Sequence, residues 1–442
     1  TIFEENKSFG YEKTSFTRQT LSESAGAAEV TEMYDPYEDR IYVYSYDDAN
    51  NCTGYTMKTG TDGANFFSVK KTGENTIEYG FGQTDYQSSS VITYDNNAFL
   101  DPRITQIALK SESWAARAGN LSYHYDKLGR LEDKTFTMFE IPGELTVTES
   151  INYVYGTLLK DTVTTKLNGV NLDVHKCSYQ YNPRGLPSEV VYEFSDDGED
   201  ALEEIYTHLY FYDKAERLTT ETHRSGDNVQ SISYSYNADG SLQKEMMGAL
   251  THRQYVYDKG RLTSYLDKDG NPLATFSYDN LGNCTGYETD EKEVSMEWER
   301  GSLMTKFERT ETENGTEKST ETTYFYNSRK VRYKKIVDGI ENRYYYDGEK
   351  LEAEYCLGNP EEEEDESKRA YLIRYLYDSE GITGIAVLNE PGTGGANTVY
   401  YFAKDGQGNV IAVIRRGATM ARYEYDTWGK CKVLNWDGTE NT

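Results

Sequence analysis

Aromatic and polar positions alternate along most of this 442-residue chain, and short runs rich in Asp, Asn and Gly interrupt the alternation at intervals. The segment YHYDKLGRL (123–131) shows the unit. Tyr123 and Tyr125 are two apart and share one face of a strand, while His124 points to the other. Asp126 opens a turn, because its side-chain oxygen can accept from a backbone N–H two residues on. Gly129 suits a left-handed position closing the loop. Leu131 then starts a return strand. The pattern predicts an antiparallel β-hairpin with paired tyrosines on its incoming strand.

The unit recurs. Tyr181, Asn182 and Gly185 fill the slots of Tyr125, Asp126 and Gly129, as do Tyr236, Asn237 and Gly240, Tyr278, Asp279 and Gly282, and Tyr425, Asp426 and Gly429. Tyr212 with Asp213 and Tyr257 with Asp258 repeat the pair without glycine at that offset. Further copies are YSYDDANNC (44–52), YFYNSRKV (324–331), YYYDGEKL (344–351) and YLYDSEGI (375–382), with weaker ones at 93–100, 153–159 and 296–303. Two loop lengths are implied. Successive tips lie mostly 20 to 31 residues apart, room for two strands and two turns. The long gap between Tyr46 and Tyr94 predicts a degenerate copy around Phe67 to Tyr79.

These motifs resemble the YD-repeat (Rhs) family of bacterial polymorphic toxins, insecticidal Tc toxin shells and teneurins. The likeness runs from about Tyr42 onward. It is most specific at YYFAKDGQGNVIAVIRRGATMARYEYDTWGK (400–430), which looks like the opening of the family's Rhs-associated core. The resemblance implies three regions: an irregular N-terminal segment or cap at 1–40, YD repeats at 41–390, and the beginning of the core at 391–442. It also implies an aspartyl self-cleavage motif and a variable toxin beyond Thr442, outside these residues.

Composition sharpens the picture. Forty-one tyrosines suit sheet faces that stay half wet, each ring being apolar with a polar tip, and they predict a sheet without a deep sandwich core. The net charge of −29 argues against nucleic acid as a partner, since phosphate binding rests on Lys and Arg; it implies solubility or an acidic lumen. Cys52, Cys177, Cys284, Cys356 and Cys431 are odd in number and far apart, so neither a zinc site nor a disulfide framework is expected. No run of 18 apolar residues and no leader sequence is present, so targeting signals are expected elsewhere.

Irregular stretches are expected at 21–33, as a short helix or a cap, and as wide loops at 84–95 and 195–210. A charged insertion at 358–370 and a Gly-rich linker at 389–398 follow; the linker is no phosphate cradle, because a strand-like TVYYFA comes after it. Asp-Gly or Asn-Gly pairs at 168–169, 197–198, 239–240 and 314–315 mark further turns.

The repeated Asp invites a catalytic reading, but Asn replaces it at Asn182, Asn237 and Asn327; Asn keeps the turn-forming oxygen and loses the charge that acid–base work needs. Asp267 to Asn271 mimics the start of a calcium loop, yet Tyr278 stands where the bidentate Glu belongs. His124, His175, His208, His223 and His252 are scattered without metal spacing, and no GxSxG elbow is present.

The expected fold is all-β, with antiparallel hairpins forming a continuous spiral β-sheet shell. About 30 strands at ~4.8 Å make a ribbon of ~145 Å, roughly one turn of a ring ~45 Å across. The resemblance implies a shell segment without catalytic, cofactor or metal residues. Its partners would be a C-terminal toxin domain of the same polypeptide and neighbouring shell repeats, in a secreted or cell-surface bacterial protein. The competing class is an extracellular module binding glycans or a target-cell surface, with a scattered-site enzyme as a third. A continuous inner wall with no deep pocket favours the container; a solvent-facing aromatic groove of about 300 Å³ or more favours the binding module.

Overall fold

The computed structural model describes residues 2–4, 15–20, 28–35, 40–47, 51–59, 65–81, 88–95, 103–111, 119–140, 143–154, 157–167, 170–197, 202–313, 316–327, 329–348, 350–358, 370–378, 381–391 and 398–439. These residues form thirty-five strands, from β1 (Ile2–Glu4) to β35 (Cys431–Asn435), in one antiparallel sheet without helices. Each strand pairs with its neighbours in sequence, so the chain is a single meandering ribbon. The fold is all-β and antiparallel, as expected.

Alternation sets the faces. In β10 (Gly119–Tyr125), Leu121 and Tyr123 are buried and His124 is exposed. The gap after Tyr46 holds a hairpin of β6 (Asn65–Lys71) and β7 (Thr76–Phe81), with Phe67 opposite Phe81 and Val69 opposite Tyr79. YDDANNCTGY (46–55) and YDNLGNCTGY (278–287), which share the pattern YDxxxNCTGY, each carry a glycine pressed onto the next strand: a Cβ on Gly54 would meet the Val69 carbonyl oxygen at 2.0 Å, and one on Gly286 the Val294 oxygen at 2.7 Å.

Three expectations of irregularity are corrected. β3 (Ala28–Asp35), β8 (Ser88–Asp95) and β16 (Glu203–Tyr212) are regular strands where a helix or wide loops were expected, because pairing with both neighbours overrides weak local alternation. Residues 21–27, 84–87 and 198–201 lie outside the described residues. So do the 168–169 and 314–315 turns, the 359–369 insertion and the 392–397 linker.

The ribbon coils. Arg40 of β4 (Arg40–Tyr46) bonds the carbonyl of Tyr344 in β28 (Ile340–Asp347). Further along, Tyr79 meets Asp347, Tyr123 meets Tyr377, Glu149 meets Tyr401 and Asp173 meets Thr419. Both residue numbers rise together. A ribbon doubled back on itself would make one fall as the other rose, so these contacts join successive turns advancing in the same direction. The offset between partners shortens from 304 residues at Arg40 to 246 at Asp173.

The core lies where the turns overlap, and this corrects the half-wet, one-turn picture. The first pass contributes large side chains, among them Met57, Phe67, Tyr79, Leu121, Phe136 and Tyr179. The second contributes Ala353, Ala386, Ala403 and Ala412 with Leu372, Val399 and Ile414. Small residues on one layer let rings on the other interdigitate at interior density. The span between, from β19 (Leu242–Met247) to β27 (Arg332–Val337), adds nothing to this cluster; there the tyrosine sheet is half wet, as expected.

Candidate functional site

The tips come first, since the repeated Tyr-Asp/Asn-Gly residues lie at them. Asp126 Oδ1 accepts from the Leu128 and Arg130 N–H groups at 2.8 and 2.9 Å, and the Gly129 N–H donates to the Asp126 carbonyl. Asn182, Asp213, Asp279 and Asp426 accept from the residues two and four ahead in the same way. The backbone N–H of Arg130 above all, with its guanidinium and the Leu128 N–H, holds the Asp126 carboxyl below the usual carboxylate range. Gly129, Gly185, Gly240, Gly282 and Gly429 have φ between 81° and 96°. Other tips differ: at Asn237 the cap passes to Asp239, which receives the Ser241 N–H, and Asp258 is paired with Arg261 across a two-residue turn at Lys259 and Gly260, the register in which Asp347 pairs with Lys350.

The alternation of Asp and Asn has a partner. Asp126 and Asp213 are followed four residues on by Arg130 and Arg217, which donate Nε to the second carboxylate oxygen at 2.7 and 2.8 Å. Asp267, Asp279 and Asp405 receive the side-chain amides of Asn271, Asn283 and Asn409 there. Asn182, Asn237 and Asn327 are followed instead by Leu186, Ser241 and Val331. In these hairpins the slot is Asp where Arg or Asn stands four residues on, and Asn before Leu, Val or Ser; at Asn237 the side-chain amide itself donates, to Ser241 Oγ at 2.9 Å.

The second aromatic of each motif does more than fill a face. Tyr212 pairs with Leu218 at a register shift, and the Leu218 carbonyl is capped by the hydroxyl of Tyr236, the second aromatic of the next motif, at 2.6 Å. The relation recurs from Tyr278 to Leu262, Tyr326 to Met304, Tyr346 to Arg332 and Tyr377 to Leu351, each acceptor being the partner of the preceding motif's aromatic. Bulges leave a carbonyl outside the ladder, and the hydroxyls satisfy it. This clasp was missed; the only signal was the constancy of the second aromatic.

Between turns, the seam is polar as well as apolar. Lys134 and Glu149 form a buried ion pair at 2.9 Å, and Tyr401 from the second turn donates to the other Glu149 oxygen at 2.7 Å. His175 is sealed between Tyr192 and Thr419, at 2.8 and 2.9 Å; burial, then the Arg422 charge, pushes its pKa down to about 3.

Where β34 (Ala418–Tyr425) and β35 of the second turn meet β16, β17 (Leu218–Ser225) and β18 (Asn228–Tyr236), an open groove of ≈ 730 Å³ is lined by Tyr234, Tyr255, Trp428 and several charged groups. Trp428 stands edge-on to Tyr234 at 5.4 Å and is half exposed. A second cavity of ≈ 310 Å³ adjoins it along the seam, walled by Tyr181, Tyr206, Tyr210 and Asp405. Both exceed the size set for an aromatic binding groove.

One wall of the larger groove gathers residues that the sequence spaces far apart. His208 and His223 are direct cross-strand partners with rings 4.8 Å apart, and His223 Nε2 lies 2.7 Å from Glu424 Oε1. Behind them Glu221 sits 3.5 Å from His208 Nδ1 and accepts from Tyr234 at 3.0 Å. Burial raises the Glu221 pKa, but the neighbouring polar groups of His208, Thr427 and Tyr234 outweigh it and leave the carboxyl below its ordinary value. The contact with His223 likewise lowers the Glu424 pKa. The histidines looked scattered because hairpin register pairs His208 with His223 and the coil then brings Glu424 to them; His124 and His252 lie outside this cluster.

No family model matches the chain. Two curated relatives do: the tRNA3(Ser)-specific nuclease WapA of Bacillus spizizenii, 26% identical over 219 residues, and the tRNA nuclease WapA of Bacillus subtilis, 25% identical over 219 residues. Each match covers 49% of this chain and 8% of the relative. Both relatives are named as enzymes, which overturns the expectation of a protein without enzymatic activity. That expectation rested on the family resemblance, on Asn in place of the repeated Asp and on the absence of metal spacing, which carry little weight for a segment spanning 8% of the relatives it matches. Among solved structures, TcdB2-TccC3 without its hypervariable C-terminal region is similar over 95% of this chain and 26% of its own, at 12% identity and TM-score 0.36. The TcdB2–TccC3–Cdc42 structure matches over 97% and 28%, at 12% identity and TM-score 0.38. Scores this low carry no argument about function.

Proposed function

We propose that this chain is the wall of a coiled β shell within a larger toxin, and that the shell sequesters a toxic enzyme of nuclease type carried in the same polypeptide. The observation that carries the reading is the coil: the second turn advances over the first and buries a continuous core between them. Coiling covers one face of the sheet along the overlap and creates an inside. The relatives named as nucleases have most of their length outside the matched segment, room for such a cargo. In this reading residues 1–40 cap the coil, 41–390 form the repeats and 391–442 begin the core that joins wall to cargo, in a secreted or surface-displayed bacterial protein.

The test is retention. In the full-length polypeptide cleaved between shell and cargo, the two pieces should co-elute in size exclusion and separate only in denaturant. A cargo that dissociates freely while the shell stays folded would overturn the reading. The aromatic groove beside Tyr234, Tyr255 and Trp428 favours a second reading, an outward binding module for a partner or sugar. Ligand-induced quenching of Trp428 fluorescence, lost in Trp428→Phe, would favour it.

A further inference from the structure

We propose that His208, His223 and Glu424 form a site for a divalent transition-metal ion of the zinc type, which pins the second turn of the ribbon to the first. One donor atom from each residue lies within 4.8 Å of the others, close enough to converge on one ion by small side-chain movements. Two histidines directly opposite one another on antiparallel strands present their rings side by side. Glu424 completes the set from β34, some two hundred residues on. Two imidazoles with one carboxylate suit zinc, nickel or copper far better than calcium or magnesium, which take oxygen ligands.

The surroundings match such a site. His208 is buried, and its Nδ1 has no well-aligned hydrogen bond, only Glu221 at 3.5 Å. Glu221 is itself held by Tyr234, so a braced carboxylate stands beside the imidazole, an arrangement that orients a ligating histidine. The groove opens directly onto the cluster, leaving room for water or another ligand at a fourth position. An ion pair between His223 and Glu424 alone would need neither the second histidine nor the braced carboxylate. Because the donors come from both turns, metal binding would be coupled to closure of the coil.

The test uses the whole chain, stripped with chelator and titrated with Zn²⁺ by calorimetry and thermal melting. One equivalent should bind saturably, with a melting temperature that rises with free Zn²⁺. Loss of an outer partner alone typically costs 10–100-fold, so His223→Gln and Glu424→Gln should each weaken binding by about 100-fold or more, and Glu221→Gln by about tenfold. His124→Gln, at an exposed histidine elsewhere, should change nothing. Should a site variant fail to fold, Co²⁺ added to the unmodified chain decides: intense visible absorption of a four- or five-coordinate ion supports the site, and the weak spectrum of hydrated cobalt overturns it. Absence of saturable binding, or equal affinity in the Gln variants, also overturns it.

Discussion

Trp298 donates its indole N–H to the carbonyl of Cys284 at 2.6 Å, occupying the place that tyrosine hydroxyls hold in the neighbouring hairpins. Trp298 lies in MEWERGSL (296–303), one of the weakest copies of the repeat, yet it conserves the contact that joins one hairpin to the next. The acceptor is again the partner of the preceding motif's aromatic, since Cys284 pairs with Tyr278. The repeat is therefore defined by a donor at that position as much as by its tip.

Removing the donor while keeping the ring isolates the clasp. Tyr236→Phe should lower stability by about 0.5–1.5 kcal/mol, the net worth of one hydrogen bond. Trp298→Phe should cost somewhat more, because it also loses ring volume. Denaturant melts check both. A neutral Tyr236→Phe would mean that water satisfies the Leu218 carbonyl equally well.

The left-handed slot of the tips makes a paired prediction. Glu216 and Lys330 occupy it with φ of 65°, where other tips place glycine. Glu216→Gly should stabilise by up to about 1 kcal/mol by relieving strain, partly offset by chain entropy. Gly240→Ala should destabilise by about 1 kcal/mol, and through backbone strain alone, because a Cβ there would meet nothing within 4 Å.

The seam should respond asymmetrically to loss of charge. Glu149→Ala leaves Lys134 buried without its carboxylate and Tyr401 without its acceptor, and should cost about 3–5 kcal/mol. Replacing the pair together, as Lys134→Met with Glu149→Leu, should recover most of that loss. A double variant as unstable as the single one would show that the charges themselves, rather than their pairing, hold the seam.

His175 should make the overlap acid-sensitive. Its folded pKa of about 3 lies below the ordinary 6.5, so as pH falls the unfolded chain takes up the proton first. The stabilisation is complete above about pH 6.5 and is lost toward pH 3, at about 1.4 kcal/mol per pH unit. Unfolding free energies between pH 7 and 4 should therefore fall more steeply in the natural chain than in His175→Gln. Parallel pH profiles would show that His175 is protonated in place.

Much of this fold is written in local chemistry. Tyr125, Asp126 and Gly129 announce a strand, a cap and a left-handed turn within five residues, and each acts over that same range. The coil is written differently. Nothing near Arg40 announces Tyr344, and nothing near His223 announces Glu424, because these contacts depend on twist summed over many hairpins. Some traces were available. Lys134 and Glu149 sit among apolar positions such as Phe136 and Val147, on strands where solvent alone would not demand a matched pair. Arg or Asn four residues after Asp126, Asp213, Asp267, Asp279 and Asp405 was also legible without reference to structure.

The coil is tested most directly by small-angle X-ray scattering of the purified chain. Thirty-five strands laid out as an uncoiled ribbon would reach ~165 Å, with a radius of gyration of ~48 Å. Two overlapping turns should instead give a radius of gyration of about 22–28 Å, near that of a compact domain of this length. A value near 48 Å, with a maximum dimension approaching the full ribbon length, would contradict the overlap of the turns and every contact argued across it.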